Sequence, residues 1–272
     1  MAVMRVFIPK PFRVDHRGLE LLKIITIMKR FILLGAWFIL LAPGAEAQQP
    51  DIAQIVVHYK FSHIRDTTDR AKPYTENMVL LVGKSAGVYK TNEERRSNAE
   101  YFQFPREKKM VRKEGILFSR FLITETLPVI DWRITHDTAS FGGLHCQKAT
   151  THFRGRDYTV WFCPDLPLPV GPWKLNGLPG VIVEGYDTKK EVSFTFDGIE
   201  KVNEPKSIKV PNDVSKITDL EFVKLEETAQ KDPDAFIRMM SGPQADGRMM
   251  KVDMKPGPRP VNNNPIELPE KK

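Results

Sequence analysis

The chain has 272 residues, room for two domains, but its first 47 read as leader and targeting sequence and leave a length that suits one. That stretch also carries seven Lys or Arg against three Asp or Glu, so the net charge of +7 falls to +3 for the remainder. So small a surplus weakens the case for a polyanionic partner such as nucleic acid.

Met28, Lys29 and Arg30 form a short basic region, residues 31–42 an apolar run of twelve, and Ala45-Glu46-Ala47 a small-x-small cleavage site. This is the pattern of a secretory signal peptide over residues 28–47. A membrane anchor would need about 20 apolar residues, and extending the run backwards would bury Lys29 and Arg30 at roughly 2.5 to 3.5 kcal/mol each. Residues 1–27 carry no domain signal and are read as a dispensable leader or start-site artefact. The expectation is an exported chain, in the periplasm, the envelope or outside, with no stable transmembrane span after cleavage. In that oxidising setting Cys146 and Cys163 are candidates for one disulfide.

Residues 53–65 alternate apolar and polar side chains and open the domain as a strand; 78–82 and 87–89 are two more, joined by Gly83-Lys84-Ser85-Ala86. Residues 95–101 are polar and read as a short helix or loop. Residues 116–125 and 132–135 are strands again, with Leu127-Pro128 as a break.

Two hairpins follow. The first joins 144–151 to 158–163 around Arg154-Gly155, and a register in which facing positions sum to 309 sets Cys146 opposite Cys163. Facing residues of a non-hydrogen-bonded antiparallel pair have Cα atoms about 4.5 Å apart, within disulfide range. A bridge there would stabilise by roughly 3 kcal/mol; two buried thiols are the alternative, and one residue of slip would separate the sulfurs. The second hairpin joins 181–186 to 191–196 through Asp187-Thr188-Lys189-Lys190. Pairing to a sum of 377 puts Val181, Val183, Val192, Phe194 and Phe196 on one face.

Between the hairpins, residues 171–182 read GPWKLNGLPGVI, with three Gly and two Pro and almost no side chain able to perform chemistry. Gly171-Pro172 opens a turn, Asn176-Gly177 suits a turn needing positive φ, and Pro179-Gly180 fits the centre of a type II turn. We read it as an irregular crossover pinned by Trp173 and Leu178.

Residues 218–230 form an amphipathic helix with Leu220, Val223 and Leu225 at helical spacing, Thr218 as N-cap and Glu221 three residues on. Residues 232–240 form a second helix begun by Asp232-Pro233. From 242 to 272 Pro, Gly, Asn and charge dominate, the composition of a disordered tail.

The chemical motifs are weak. Gly83-Lys84-Ser85-Ala86-Gly87 has the G-x-S-x-G form of a hydrolase nucleophile elbow, with Asp131 and His136 or His152 following in the order Ser, Asp, His. A returning strand at Val88-Tyr89 instead of a helix, and no α/β alternation, favour a polar hairpin tip. His58 and His63 point to opposite faces of one strand, as do His145 and Cys146, so no metal-ligand cluster is visible. The basic run 106–113, near Phe102 and Phe104, reads as a solvated hairpin face rather than a nucleic-acid patch.

Residues 132–196 carry a more specific signal. Trp132-Arg133-Ile134, Cys146-Gln147-Lys148-Ala149, Phe153-Arg154-Gly155-Arg156, Tyr158 with Trp161, and Gly171-Pro172-Trp173 precede Gly177-Leu178-Pro179-Gly180-Val181-Ile182. In these pieces and their spacing the chain resembles the GLPGLI family. The resemblance implies a secreted or envelope bacterial protein of unknown biochemical function, with no catalytic residues to carry over. Val181 stands where the family name has Leu, and Cys163 stands where a non-cysteine is expected.

Together these readings give a mainly β, α+β fold. Residues 50–241 form one curved antiparallel sheet domain whose one or two C-terminal helices cover its concave face, ahead of a tail over 242–272. The expected function is non-enzymatic, with no cofactor, no metal and no catalytic residue: binding of an unknown envelope partner or small ligand, without nucleic acid. A ligand-binding domain would show an apolar cavity lined by the two hairpins. The alternative from another class is a serine hydrolase using Ser85.

Overall fold

The computed structural model describes residues 51–93, 99–241 and 261–270. The leader and signal-peptide assignments lie outside the described residues, as do positions 95–98 of the polar stretch. Of the two units into which the chain divides, 1–49 and 50–272, the second holds every described residue.

That unit is mainly β. Its strands are β1 (Asp51–Ile52), β2 (Ile55–His63), β3 (Tyr74–Val82), β4 (Gly87–Thr91), β5 (Glu100–Phe104), β6 (Lys109–Ile116), β7 (Ser119–Thr126), β8 (Arg133–Phe141), β9 (Leu144–Phe153), β10 (Arg156–Cys163), β11 (Val181–Asp187), β12 (Val192–Lys201), β13 (Ser207–Ile208) and β14 (Ser215–Ile217). Helices α1 (Asp219–Lys231) and α2 (Pro233–Ser241) follow. Twelve strands make one sheet in the order β14-β7-β6-β5-β4-β3-β2-β12-β11-β10-β9-β8, and β1 pairs with β13. Every pairing is antiparallel except β14 with β7.

The sheet is bent towards one face. Strands lie about 4.8 Å apart, which would put β4 and β12 roughly 14 Å apart if flat. Yet the rings of Tyr89 on β4 and Phe194 on β12 stand 6.0 Å apart, and the Tyr59 hydroxyl on β2 donates to the carbonyl of Ile182 on β11 at 2.6 Å. The main core lies on this inner face, where Val57, Leu80, Val160, Phe162 and Val183 are buried. Residues 164–180 pack into it as a plug, with Val170, Trp173, Leu175 and Leu178 at most 2% exposed. A second core on the opposite face joins Val79, Leu81, Val88, Phe102 and Leu122 to Ile208 of the β12–β14 connection.

Several local expectations are corrected. Residues 116–125 are not one strand, because the chain turns at Leu117, whose φ is 52°, to make the β6–β7 hairpin. The last positions of the polar 95–101 stretch run into β5 rather than a helix. The β9–β10 register sums to 309, as in Arg156 opposite Phe153 and Phe162 opposite Gln147. The β11–β12 pairs, Gly185 with Phe194 and Tyr186 with Ser193, sum to 379 rather than 377, a two-residue offset that keeps each side chain on its expected face. Its cause is Asp187, whose carboxylate accepts from the backbone of Glu191 and Val192 at 2.6 and 3.1 Å and draws the loop one residue along.

Helix α1 has its expected start: Thr218 and Glu221 exchange both bonds of a capping box. Its buried face is Phe222 and Ala229, however, and Leu220 and Val223 are exposed. Both helices pack on β6 and β7 through Ile116, Phe121 and Ile123, so they cover one end of the sheet while the plug fills the bent part. Residues 261–270, expected to be disordered with the rest of 242–272, form an ordered strap with Asn264 buried. The intervening 242–260 lie outside the described residues.

Candidate functional site

The GPWKLNGLPG stretch is interior except at Gly177 and Pro179, which are exposed. Gln103 of β5, buried on the inner face, holds it by a two-way clasp: its amide nitrogen donates to the carbonyls of Gly171 and Trp173 at 3.0 and 2.9 Å, and its oxygen accepts from Gly171 N–H at 3.1 Å. Asn176 donates to the carbonyls of Pro128 and Lys174, while Trp132 donates to the carbonyl of Asn176 at 2.8 Å. The buried peptide groups of an irregular loop need such partners. Trp173 stands edge-on to Phe153 at 5.8 Å. Gly177 has φ +91°, as a turn there requires. Gly180 is different: its φ is not positive and Val181 N–H goes to Leu166 rather than closing a type II turn at Leu178. A Cβ at 180 would lie 2.3 Å from the Cys163 carbonyl oxygen, so close backbone approach is what demands glycine. Gly171, Pro172, Leu178 and Pro179 complete this architectural segment.

Cys146 and Cys163 are bridged, with Cα atoms 4.1 Å apart. Ser85 sits at the β3–β4 turn, where Asp51 organises the tip: its carboxylate accepts from the backbone of Lys84, Ser85 and Ala86 and from the Ser85 hydroxyl at 3.0 Å. Burial alone would raise the Asp51 carboxyl, but the bonds from Ser85, Lys84 and Ala86 outweigh it and hold it below the ordinary value. Among the described residues no histidine bonds to Ser85, so the hydrolase constellation is not assembled. His152 pairs instead with Asp157 and Glu270. Nor does any group of three or more His, Cys, Asp or Glu among the described residues have the arrangement of a metal site.

The inner face does hold a cleft, beside the plug rather than between the hairpins. It measures about 270 Å³ and is walled by aromatic rings from β2 to β5, by Phe194 and by Trp173. Tyr89 is its central feature. The side chain is buried, its ring 5.8 Å from Tyr59, and its hydroxyl has no protein partner among the described residues. Burial raises the Tyr89 phenol well above its ordinary pKa, so it remains a neutral donor. At the rim the Arg65 guanidinium lies 3.5 Å from the centroid of the Tyr74 ring. Arg65 makes no ion pair among the described residues, whereas Glu76 accepts from the hydroxyls of Tyr74 and Thr91. Ile266 of the strap closes another side. A groove of about 530 Å³ on the other face of β2 and β3 is larger, but Lys60, Ser62, Thr75 and Asn77 line it and it offers no unpartnered buried group.

Sequence reasoning missed this cleft, Gln103 and the strap. A strand pattern alone does not say that Tyr74, Tyr89, Tyr101, Trp173 and Phe194 converge on Phe61.

No family model matches the chain, and no curated protein does. Among the solved chains that match are two structures of PNGF-II. One is 11% identical with a TM-score of 0.51, and covers 63% of this chain and 32% of that chain. The other, in a second crystal form, is 13% identical at TM-score 0.46 with the same coverage. The first is a likeness of fold alone, and this chain spans about a third of that protein's length.

Proposed function

We propose that the chain is an exported envelope protein of the GLPGLI type that binds, without catalysis, a small ring-bearing anion in the aromatic cleft. The observation that carries the reading is the Tyr89 hydroxyl, a buried donor without an acceptor among the described residues. Such a group costs about 1–3 kcal/mol in an empty site, which a ligand acceptor would recover. The flat walls of Tyr101 and Trp173 suit a ring, and Arg65, which makes no ion pair among the described residues, suits an anionic group at the rim. Export is supported by the leader pattern and by the Cys146–Cys163 bridge, a feature of oxidising compartments. The family assignment rests on the residues between Trp132 and Ile182.

A panel of small aromatic carboxylates, screened by protein-observed NMR, tests the cleft. At least one member should shift Tyr89, Arg65 and Trp173 saturably, and Tyr89→Phe should weaken its binding about tenfold, the equivalent of one buried hydrogen bond. No member perturbing those three residues would overturn the reading.

A further inference from the structure

The strap has the anatomy of a bound peptide. Residues 261–270 contain no strand or helix, pair with no sheet edge, and bury only Asn264 completely. Their backbone bends at 263–264 and 266–267, and it is held by three backbone bonds, from Asn263 and Asn264 N–H to Arg65 O and from Leu268 N–H to Arg154 O, together with side-chain recognition. The buried Arg156 guanidinium donates to the carbonyls of Pro265 and Ile266 at 2.8 and 3.0 Å and to the Asn264 side chain at 2.7 Å. Its remaining nitrogen bonds Asp187 and Glu191, which fix it from behind. His63 meets the Asn264 carbonyl at 2.7 Å.

The contacts also discriminate between side chains. The Asn264 amide donates to Ile64 O at 2.7 Å and to Glu191 at 3.2 Å while its oxygen takes the Arg156 bond, a pattern of donors and acceptor that only Asn satisfies at that length. Position 265 needs no N–H and carries Pro, and Ile266 turns its side chain to the cleft wall. Glu267 pairs with the buried Lys174 at 2.6 Å. Glu270 accepts from Gly155 N–H at 3.1 Å and meets His152 at 3.0 Å. Charge complementarity is thus confined to Glu267 and Glu270, while Asn263 and Asn264 are read by hydrogen bonds that include the carboxylates of Asp66 and Glu191.

We propose that this groove, centred on Arg156, is a peptide-recognition site that residues 263–270 occupy in cis. A partner presenting an Asn-Pro-apolar-Glu segment in the same bent conformation binds there in trans when the tail is displaced. Nineteen residues, 242–260, separate the strap from α2 in the sequence. The cis segment then acts as a competitor at the effective concentration its linker sets. The inference stands apart from the small-ligand reading of the neighbouring cleft, since its test reads peptide binding alone.

The experiment uses a fluorescently labelled peptide of residues 261–272 and the chain ended after Pro260. The peptide should bind the shortened protein one to one and the full chain at least a hundredfold more weakly, and Asn264→Ala in the peptide should weaken binding at least tenfold. A folded shortened protein that ignores the peptide overturns the proposal. Should the shortened chain not fold, a protease site placed within 242–260 of the full chain gives a second test. After cleavage, exchange of the native strap for labelled peptide supports the proposal, and a strap that never exchanges, or whose loss unfolds the protein, overturns it.

Discussion

Residues 164–180 and 261–270 both pack against the inner core, and neither contains regular structure. The first is apolar where it matters, with Val170, Leu175, Trp173 and Leu178 buried, and strands β10 and β11 anchor both its ends. The second is polar, with one buried side chain, and meets the domain through hydrogen bonds and ion pairs. The two differ in how their free energy arises. Buried apolar area stabilises at about 25 cal/mol per Å² over the ordinary pH range. A net hydrogen bond contributes about 1 kcal/mol, or about 1.5–3 kcal/mol where it meets a charged group, and such polar contacts are sensitive to salt and pH. A loop of the first kind is core under another name, and a segment of the second kind behaves as a ligand.

The sharpest way to break that contrast is to cut both segments to the same degree. Trp173→Ala should cost about 3–5 kcal/mol by chemical denaturation, since it removes a fully buried aromatic ring and leaves a cavity. Loss of the strap after Pro260 should cost clearly less. Equal losses would mean that the strap is core as well, and would sink the ligand-like reading of it.

Next in size is the bridge. Cys146 and Cys163 close a loop of sequence separation 17, for which loop-closure entropy gives about 3 kcal/mol. The Cys163→Ala variant should fall by about that amount in urea titration, with the plug still packed. A much smaller loss would show that the β9–β10 register holds this end of the plug without covalent help.

How much of this was legible in the sequence follows the range of each interaction. The β9–β10 register was readable because Arg154-Gly155 marks the tip and the two cysteines lie at matching distances from it. The capping box of α1 was readable because Thr218 and Glu221 are three residues apart. The β11–β12 register was missed by two residues because the Asp187 carboxylate accepts from the backbone of Glu191 and Val192, a side-chain bond that apolar–polar alternation does not record. The buried face of α1 was misread because Leu220 and Val223 fit helical spacing as well as Phe222 does, and only the docking of Phe222 on Phe121 decides between them. The strap was illegible for the same reason in stronger form. Its composition is that of a tail, and its partner Arg156 lies 108 residues away from Asn264.

The smallest effect is the most discriminating, because the strap carries a histidine contact of opposite sign near each end. Burial, with Arg65 and Arg156 adding, pushes the His63 imidazole below its ordinary value near 6.5, despite its bond to Asn264. Its contribution is therefore complete above about pH 6.5 and lost as pH falls through the lowered folded value. His152 is the reverse: hydrogen bonds to Asp157, then Glu270, raise it above the ordinary value. Its contribution is complete below about 6.5 and lost as pH rises through the raised folded value. His152 is exposed, so solvent screening keeps its share under about 1 kcal/mol. Amide exchange corrected for intrinsic rates should thus show protection at Asn263 and Asn264 fading towards acid, and protection at Leu268 fading towards base. The plug amides of Gly171 and Leu175 should hold steady across the same range. Parallel changes at all these amides would mean that plug and strap open as one cooperative unit, and the distinction between core and ligand would fail.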